Sequence, residues 1–514
     1  MSLYLLRKVL SYPKTTWQLC VLAVLSGVCA ACVIVLFRLA FEGIQLFMLG
    51  EIGVYAHLAW YERFALPFLG VLGIFCVAYL TGFEHYRLGI PYVLHRVKTE
   101  YGIIPWRTTI NQFFGGIFAL ASGFFVGREG PSVHLGAAGT SFIGQGLKLP
   151  FNAIRILSGC GIAAGIAASF NTPFAAVLFV MEVILREYRI HVFIPVMLAA
   201  AVGSVISRSV FGDGTALLFL DFAQIDGWMY AYLIGFGCLL GALASLFNRQ
   251  LMAILHAGHR LSLWQRFLLA ACITGAIGIV VPEALGAEFN QISQLFMNEP
   301  GLSILIAIIC AKFILGCIAI GLGIPGGIIG PVMIIGIYCG AIAATALTDI
   351  NGSAQFMDTF MLLGLAGMLT SVLHAPLSAL SAVMELSYAP DIVLPAILVI
   401  VPSYVVSSQL FKNRSIFISQ LEFLGMSYQQ SAITQSLQKT GVMALMQSLD
   451  ECEDKLDLDN AAPRFTYQAT LAEVYDVLKI SRDGSALIMD PAQIQPIGVI
   501  HWDHLHRYLF KQQY

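Results

Sequence analysis

The chain has 514 residues, 58% of them hydrophobic and only 11% charged, with a formal net charge of −2. A soluble domain carries roughly 25% charged residues, so the composition excludes a soluble globular protein and points to an all-α polytopic membrane protein. The near-neutral charge excludes a nucleic-acid binder. Ten of the eleven cysteines lie singly in apolar segments and Cys452 alone in the polar tail, which excludes a disulfide framework, and no metal-ligand spacing or cofactor motif is present.

Residues 1–16, with Arg7, Lys8 and Lys14, read as a cytoplasmic or interfacial helix leading into an uncleaved first span, because the following apolar run is too long for a signal peptide. Apolar stretches able to span recur at 17–40, 64–83, 153–185, 191–211, 228–247, 266–281, 301–322, 331–347, 359–388 and 391–410. The loops alternate in sign. Arg87/Arg96/Lys98/Arg107, Arg186/Arg189, Arg249/Arg260/Arg266 and Lys412/Arg414 mark the inside. Glu42/Glu51/Glu62, Asp213/Asp221/Asp226, Glu283/Glu288/Glu299 and Asp349/Asp358 mark the outside. Both termini are then cytoplasmic, and an inner (plasma) membrane location is expected.

One acid lies in an apolar region, Glu129 in Gly127-Arg128-Glu129-Gly130-Pro131. A carboxylate at bilayer depth usually faces a polar pathway. The flanking glycines and proline imply a broken helix whose freed N–H groups serve a site. The alternative for Glu129 is an ion pair with Arg128. Glu182 and Glu385 each follow a Pro-led apolar segment, and a structural role at a helix end is the favoured reading for both.

The chain repeats itself. Gly127-x-x-Gly130-Pro131-x-x-x-x-Gly136 recurs as Gly327-x-x-Gly330-Pro331-x-x-x-x-Gly336. Asn171-Thr172-Pro173 leading to Glu182 recurs as His374-Ala375-Pro376 leading to Glu385. Glu129 lies between two inside loops and Gly327 between two outside loops, so the two halves have inverted topology. The expected domains are the segment 1–16, membrane repeats 17–212 and 213–424, and a tail 425–514. Interrupted helices of such halves converge near the midplane, and their positive ends favour anions.

GREGP at 127–131, Asn171-Thr172-Pro173 and GGIIGP at 326–331 closely resemble the CLC family of chloride channels and chloride/proton exchangers, in order over residues 15–425. The chain looks like a divergent, prokaryote-like member. The resemblance implies a homodimer with one path per subunit and many tilted, broken helices. It makes Glu129 the gating glutamate and places anion contacts at Arg128, Gly130, Ile328, Ile329, Leu88, Gly89 and Phe417. Three departures stand out. Leu88 replaces a serine and Phe417 a tyrosine, so two hydroxyls at the anion site are absent. Val183 occupies the position of the internal proton-carrying glutamate of family exchangers.

The implied function is therefore a chloride (anion) channel gated by a protonatable glutamate, with a chloride/proton antiporter of altered or weak coupling as the alternative. An intramembrane enzyme is disfavoured, since neither His-Glu-x-x-His nor Gly-x-Ser-x-Gly occurs. In the tail, Thr470–Ile480 and Trp502–Phe510 read as helices, and Ala486–Met489 and Ile497–Ile500 as strands of a small α+β unit. Through Gly498-Val499-Ile500 and Leu505 it resembles a single CBS motif that pairs across the dimer axis. His501 and His504 stand where nucleotide contacts are usual, which argues against nucleotide binding and for a structural or dimer-supporting role.

Overall fold

The structure, a computed structural model, describes residues 3–83, 89–212, 223, 225, 227–296, 300–351, 356–426, 437–448, 462–481, 484–490 and 495–511. Among these, nine helices are long and apolar enough to cross a membrane. After α1 (Leu3–Leu10), α2 (Trp17–Leu49) starts where the Thr16 hydroxyl accepts the Leu19 N–H at 3.2 Å, and it stops at Gly50 with φ 78°. Its 33 residues are about 50 Å long, well beyond a hydrocarbon core of roughly 30 Å, so α2 must tilt.

The first half continues with α3 (Trp60–Thr81), α4 (Ile90–Thr99), α5 (Trp106–Ala121), α6 (Glu129–Gly146), α7 (Phe151–Phe170), α8 (Pro173–Phe179) and α9 (Ile190–Phe211). The second contains α10 (Tyr230–Gly258), α11 (Leu263–Val280), α12 (Asn290–Phe296), α13 (Leu302–Gly321), α14 (Ile329–Asn351), α15 (Met357–Leu373), α16 (Pro376–Ser387), α17 (Val393–Val405) and α18 (Ile416–Phe423).

Two stretches that hydropathy merges are each divided in two. The 153–185 run breaks at Asn171 and the 359–388 run at His374, both left-handed with φ 58° and 59°. Each break precedes a helix that begins on proline, which supplies no N–H and disfavours helix in the residue before it. The same small-residue contacts seat both halves. A Cβ on Gly136 would lie 2.2 Å from the Gly161 carbonyl oxygen, and one on Gly336 2.5 Å from that of Gly364. The backbones of α6 and α7, and of α14 and α15, therefore touch, as small-residue helix packing in membranes allows.

The two halves also cap one another. The Glu182 carboxylate, in the π-helical turn Val180–Leu185, accepts the Leu377 and Ser378 N–H groups at 3.2 and 2.8 Å and the Ser378 hydroxyl at 2.6 Å. Glu385 accepts the Phe174 and Ala175 N–H groups at 2.9 and 2.8 Å. Each acid ends its own Pro-led segment and satisfies the open N–H groups starting the other's.

The tail is a four-stranded sheet in the order β1 (Gln447–Ser448), β4 (Pro496–His501), β3 (Ser485–Met489), β2 (Arg464–Thr466), with only β2 and β3 parallel. Helices Leu471–Ser481 and Trp502–Lys511 cover it around Val474, Ile488, Ile500 and Leu505. The acidic stretch Cys452–Asn460 lies outside the described residues. The tail docks on the membrane part. Phe151 N–H donates to the Gln468 carbonyl at 2.9 Å, the Tyr467 hydroxyl to the Lys148 carbonyl at 3.0 Å, and Gly441 N–H to the Ser11 carbonyl at 2.9 Å.

Candidate anion path

The two broken helices meet at their starts. Gly127 N–H donates to the Gly327 carbonyl at 2.7 Å and Gly327 N–H to the Gly127 carbonyl at 2.6 Å, an antiparallel bridge between the repeats. Helices α6 and α14 begin two residues beyond it, so both bring unsatisfied N–H groups to one place.

Glu129, 2% exposed, folds its carboxylate into this junction. A Cβ on Gly327 would lie 2.6 Å from Oε2, and one on Gly330 2.7 Å from Oε1. The amides of Glu129 itself and of Gly330 face the carboxylate, while Oε2 has no hydrogen-bond partner. A negatively charged group thus occupies the meeting point of two positive helix ends.

The other residues singled out above fall around it. Ile328 and Ile329 are buried at the start of α14. Gly130 lies against the opposite loop, where a Cβ would come within 2.6 Å of the Gly326 carbonyl oxygen. Gly89 N–H, at the start of α4, already donates to Gln112 Oε1 at 2.9 Å. Phe417, on α18, is buried in the same apolar core as Ile328 and Ile329. Val183 is buried in that core as well, with no acid beside it in sequence but Glu182, which is engaged as a cap. Leu88 lies outside the described residues.

Arg128 pairs not with Glu129, the alternative reading, but with Glu42 at 3.5 Å and Glu288 at 4.0 Å, and its guanidinium lies 4.7 Å from the Phe170 ring. Glu42 also pairs with Arg38 at 2.5 Å. This two-arginine, two-glutamate cluster occupies one side of the junction.

Sequence reasoning missed two buried polar residues at repeat-equivalent positions. Gln112 on α5 hooks Gly89. Lys312 on α13, 1% exposed, donates to the Gly286 carbonyl at 3.2 Å and lies 4.7 Å from the Phe125 ring, two residues before Gly127. Lys312 was legible as a charge inside the apolar run 301–322. Gln112, near the polar start of α5, carries no such signal.

On the side of the junction where α18 leads toward the tail, a cavity of about 290 Å³ opens, walled by Gly89–Tyr92 at the start of α4 and by Gly323–Ile328.

An inverted pair of broken helices converging on a buried acid defines a polytopic membrane transport fold. Residues 69–408 match the family model described as voltage gated chloride channel, and the chain belongs to that CLC family. A protein from Ralstonia nicotianae described as ClcB-like is 26% identical over 407 residues, covering 75% of this chain and 92% of that protein. Among solved structures, a slow cyanobacterial Cl−/H+ antiporter has a TM-score of 0.70 at 21% identity, covering 79% of this chain and 97% of that one. A CLC-type fluoride/proton antiporter gives 0.61 at 21% identity, covering 78% and 96%. A eukaryotic CLC transporter gives 0.63 at 18% identity, covering 98% of both chains. These likenesses show the fold.

Proposed function

We propose that the protein conducts chloride or a similar small anion between the starts of α6 and α14, with Glu129 as the gate. The observation that carries this reading is the Glu129 carboxylate lying among backbone groups at the junction of both broken helices. In the closed state the carboxylate takes the place of an anion. Protonation removes its attraction to the helix ends, the side chain swings out, and a permeating anion takes over the N–H groups of Gly130, Ile328 and Ile329. Those groups substitute for lost hydration. Without hydroxyls at Leu88 and Phe417 the anion is held loosely, which favours passage, since a conducted ion must also leave.

The channel reading is preferred because Val183 cannot carry a proton and Glu182 is committed to capping α16. Proton-coupled exchange is the second reading, favoured by the description of two solved neighbours as Cl−/H+ and fluoride/proton antiporters. By the family resemblance the protein is a homodimer with one path per subunit and cytoplasmic termini. The CBS-like tail supports the assembly without binding nucleotide.

Chloride and proton fluxes measured together in liposomes separate the two readings. A channel gives chloride flux at a reversal potential unmoved by a proton gradient. A shift of that potential with pH establishes exchange instead.

A further inference from the structure

The seam between the tail and the membrane part gathers positive charge. Lys98 stands near the end of α4, Arg155 on α7, Arg186 and Arg189 in the loop before α9, and Lys439 in the tail. Arg155, Arg186 and Lys439 lie close enough to the Lys98 amine to oppose its charge, and Arg189 acts likewise on Lys439. The acid set among them is Glu187, which reaches Arg155 at 3.8 Å and pairs with Lys439. One carboxylate does not balance these cations, and like charges held together disfavour one another. None of these residues lines the cavity on the path, and Lys98 lies roughly 12 Å along α4 from its first residue.

The loop arginines follow from the preference of Lys and Arg for the inner side of a membrane, but three features do not. Arg155 is 6% exposed, its Nε is buried without a hydrogen-bond partner, and the Glu187 oxygen at 3.8 Å is too far for a hydrogen bond. An open buried donor is costly, so an acceptor placed there stabilises the fold. Arg189 is the N-cap residue of α9, where a cation opposes the positive helix end. The tail then brings Lys439 to the same place, against the repulsion of the arginines. An anion of more than one charge with several acceptor oxygens relieves all three.

We propose that this seam is a binding site for a phosphate group, held by Arg155 of the membrane part, Arg189 of the loop and Lys439 of the tail, and that its binding strengthens tail docking. Guanidinium forks match phosphate oxygens in pairs, and the ammonium group adds a point charge. The group arrives as free phosphate or as the headgroup of a phospholipid at the membrane surface, and the chemistry is the same. The site stands apart from the transport reading, because it is read out by binding and docking rather than by flux.

Two measurements on the full-length protein test it. In calorimetry at fixed chloride, inorganic phosphate is expected to bind the wild type. Arg189→Gln and Lys439→Gln are each expected to weaken it about tenfold, as loss of a charge-assisted hydrogen bond implies, while Arg189→Lys keeps most of the affinity because the charge remains. In the second, hydrogen exchange over residues 437–448 is followed with phosphate, and in phosphatidylcholine vesicles with or without phosphatidic acid. At a phosphate concentration of about ten times its Kd, exchange is expected to slow about tenfold, since the ligand favours the docked tail. Calorimetric binding with slowing by phosphate supports the site and makes free phosphate the ligand. Slowing by phosphatidic acid alone supports the site and makes the headgroup the ligand, with or without a calorimetric signal. No slowing by either, or slowing as large in Arg189→Gln as in the wild type, overturns the site.

Discussion

The Glu129 carboxylate can lie at the junction because three neighbours lack side chains. Cβ atoms at Gly127, Gly327 and Gly330 would come within 1.8, 2.6 and 2.7 Å of its oxygens. The acid and its glycines therefore form one unit, and the repeated Gly-x-x-Gly-Pro spacing is the trace of that close approach. Phe417 is the complementary case, an apolar ring buried in the same core as Ile328 and Ile329, where a hydroxyl would add a donor. A hydrogen bond to a charged partner contributes roughly 1.5–3 kcal/mol. Phe417→Tyr is expected to tighten chloride binding about tenfold or more by calorimetry. Unchanged affinity would detach Phe417 from the anion site.

The short helices depend on each other. Helix α8 has seven residues, too few to be stable alone, and its first N–H groups are satisfied by an acid 210 or 211 positions away. Glu385→Ala leaves those groups open, and loss of a cap costs about 0.5–2 kcal/mol. The expected result is a lower melting temperature with anion selectivity retained. A melting temperature unchanged from wild type would show the contact to be idle. The repeat was legible because Gly and Pro recur at fixed offsets. The breaks at Asn171 and His374 were not, because a sliding apolar average does not register the backbone turn imposed by the following helix. The reciprocal capping was also invisible, since nothing in the sequence says which distant helix start an acid will reach.

Across the whole molecule, the tail is tied to the membrane part through Glu187, which pairs with Lys439 of the tail and, at 3.8 Å, with Arg155 of α7. Burial pushes the Glu187 carboxyl up, but Arg155 and Lys439 outweigh it and hold the group below the ordinary carboxylate range. A depressed carboxyl stabilises the fold above its unfolded pKa, and that contribution is lost as pH falls through the folded value. Docking should therefore be constant near neutral pH and weaken only below about pH 4. Glu187→Gln is expected to loosen it at neutral pH, seen as faster hydrogen exchange over residues 437–448, and unchanged exchange would contradict the link. The tail's helices and two of its strands followed from local periodicity. Its docking did not, because contacts such as Gln468 on Phe151 join positions more than 300 residues apart with no shared pattern.

The central claim is that an anion path runs between the two broken helices and that Glu129 closes it. The most direct measurement is chloride flux through wild-type and Glu129→Gln protein in liposomes from about pH 5 to 8, since the amide mimics the protonated acid. The account expects higher flux in the variant with most of the pH dependence gone. Flux and pH response both equal to wild type would contradict it.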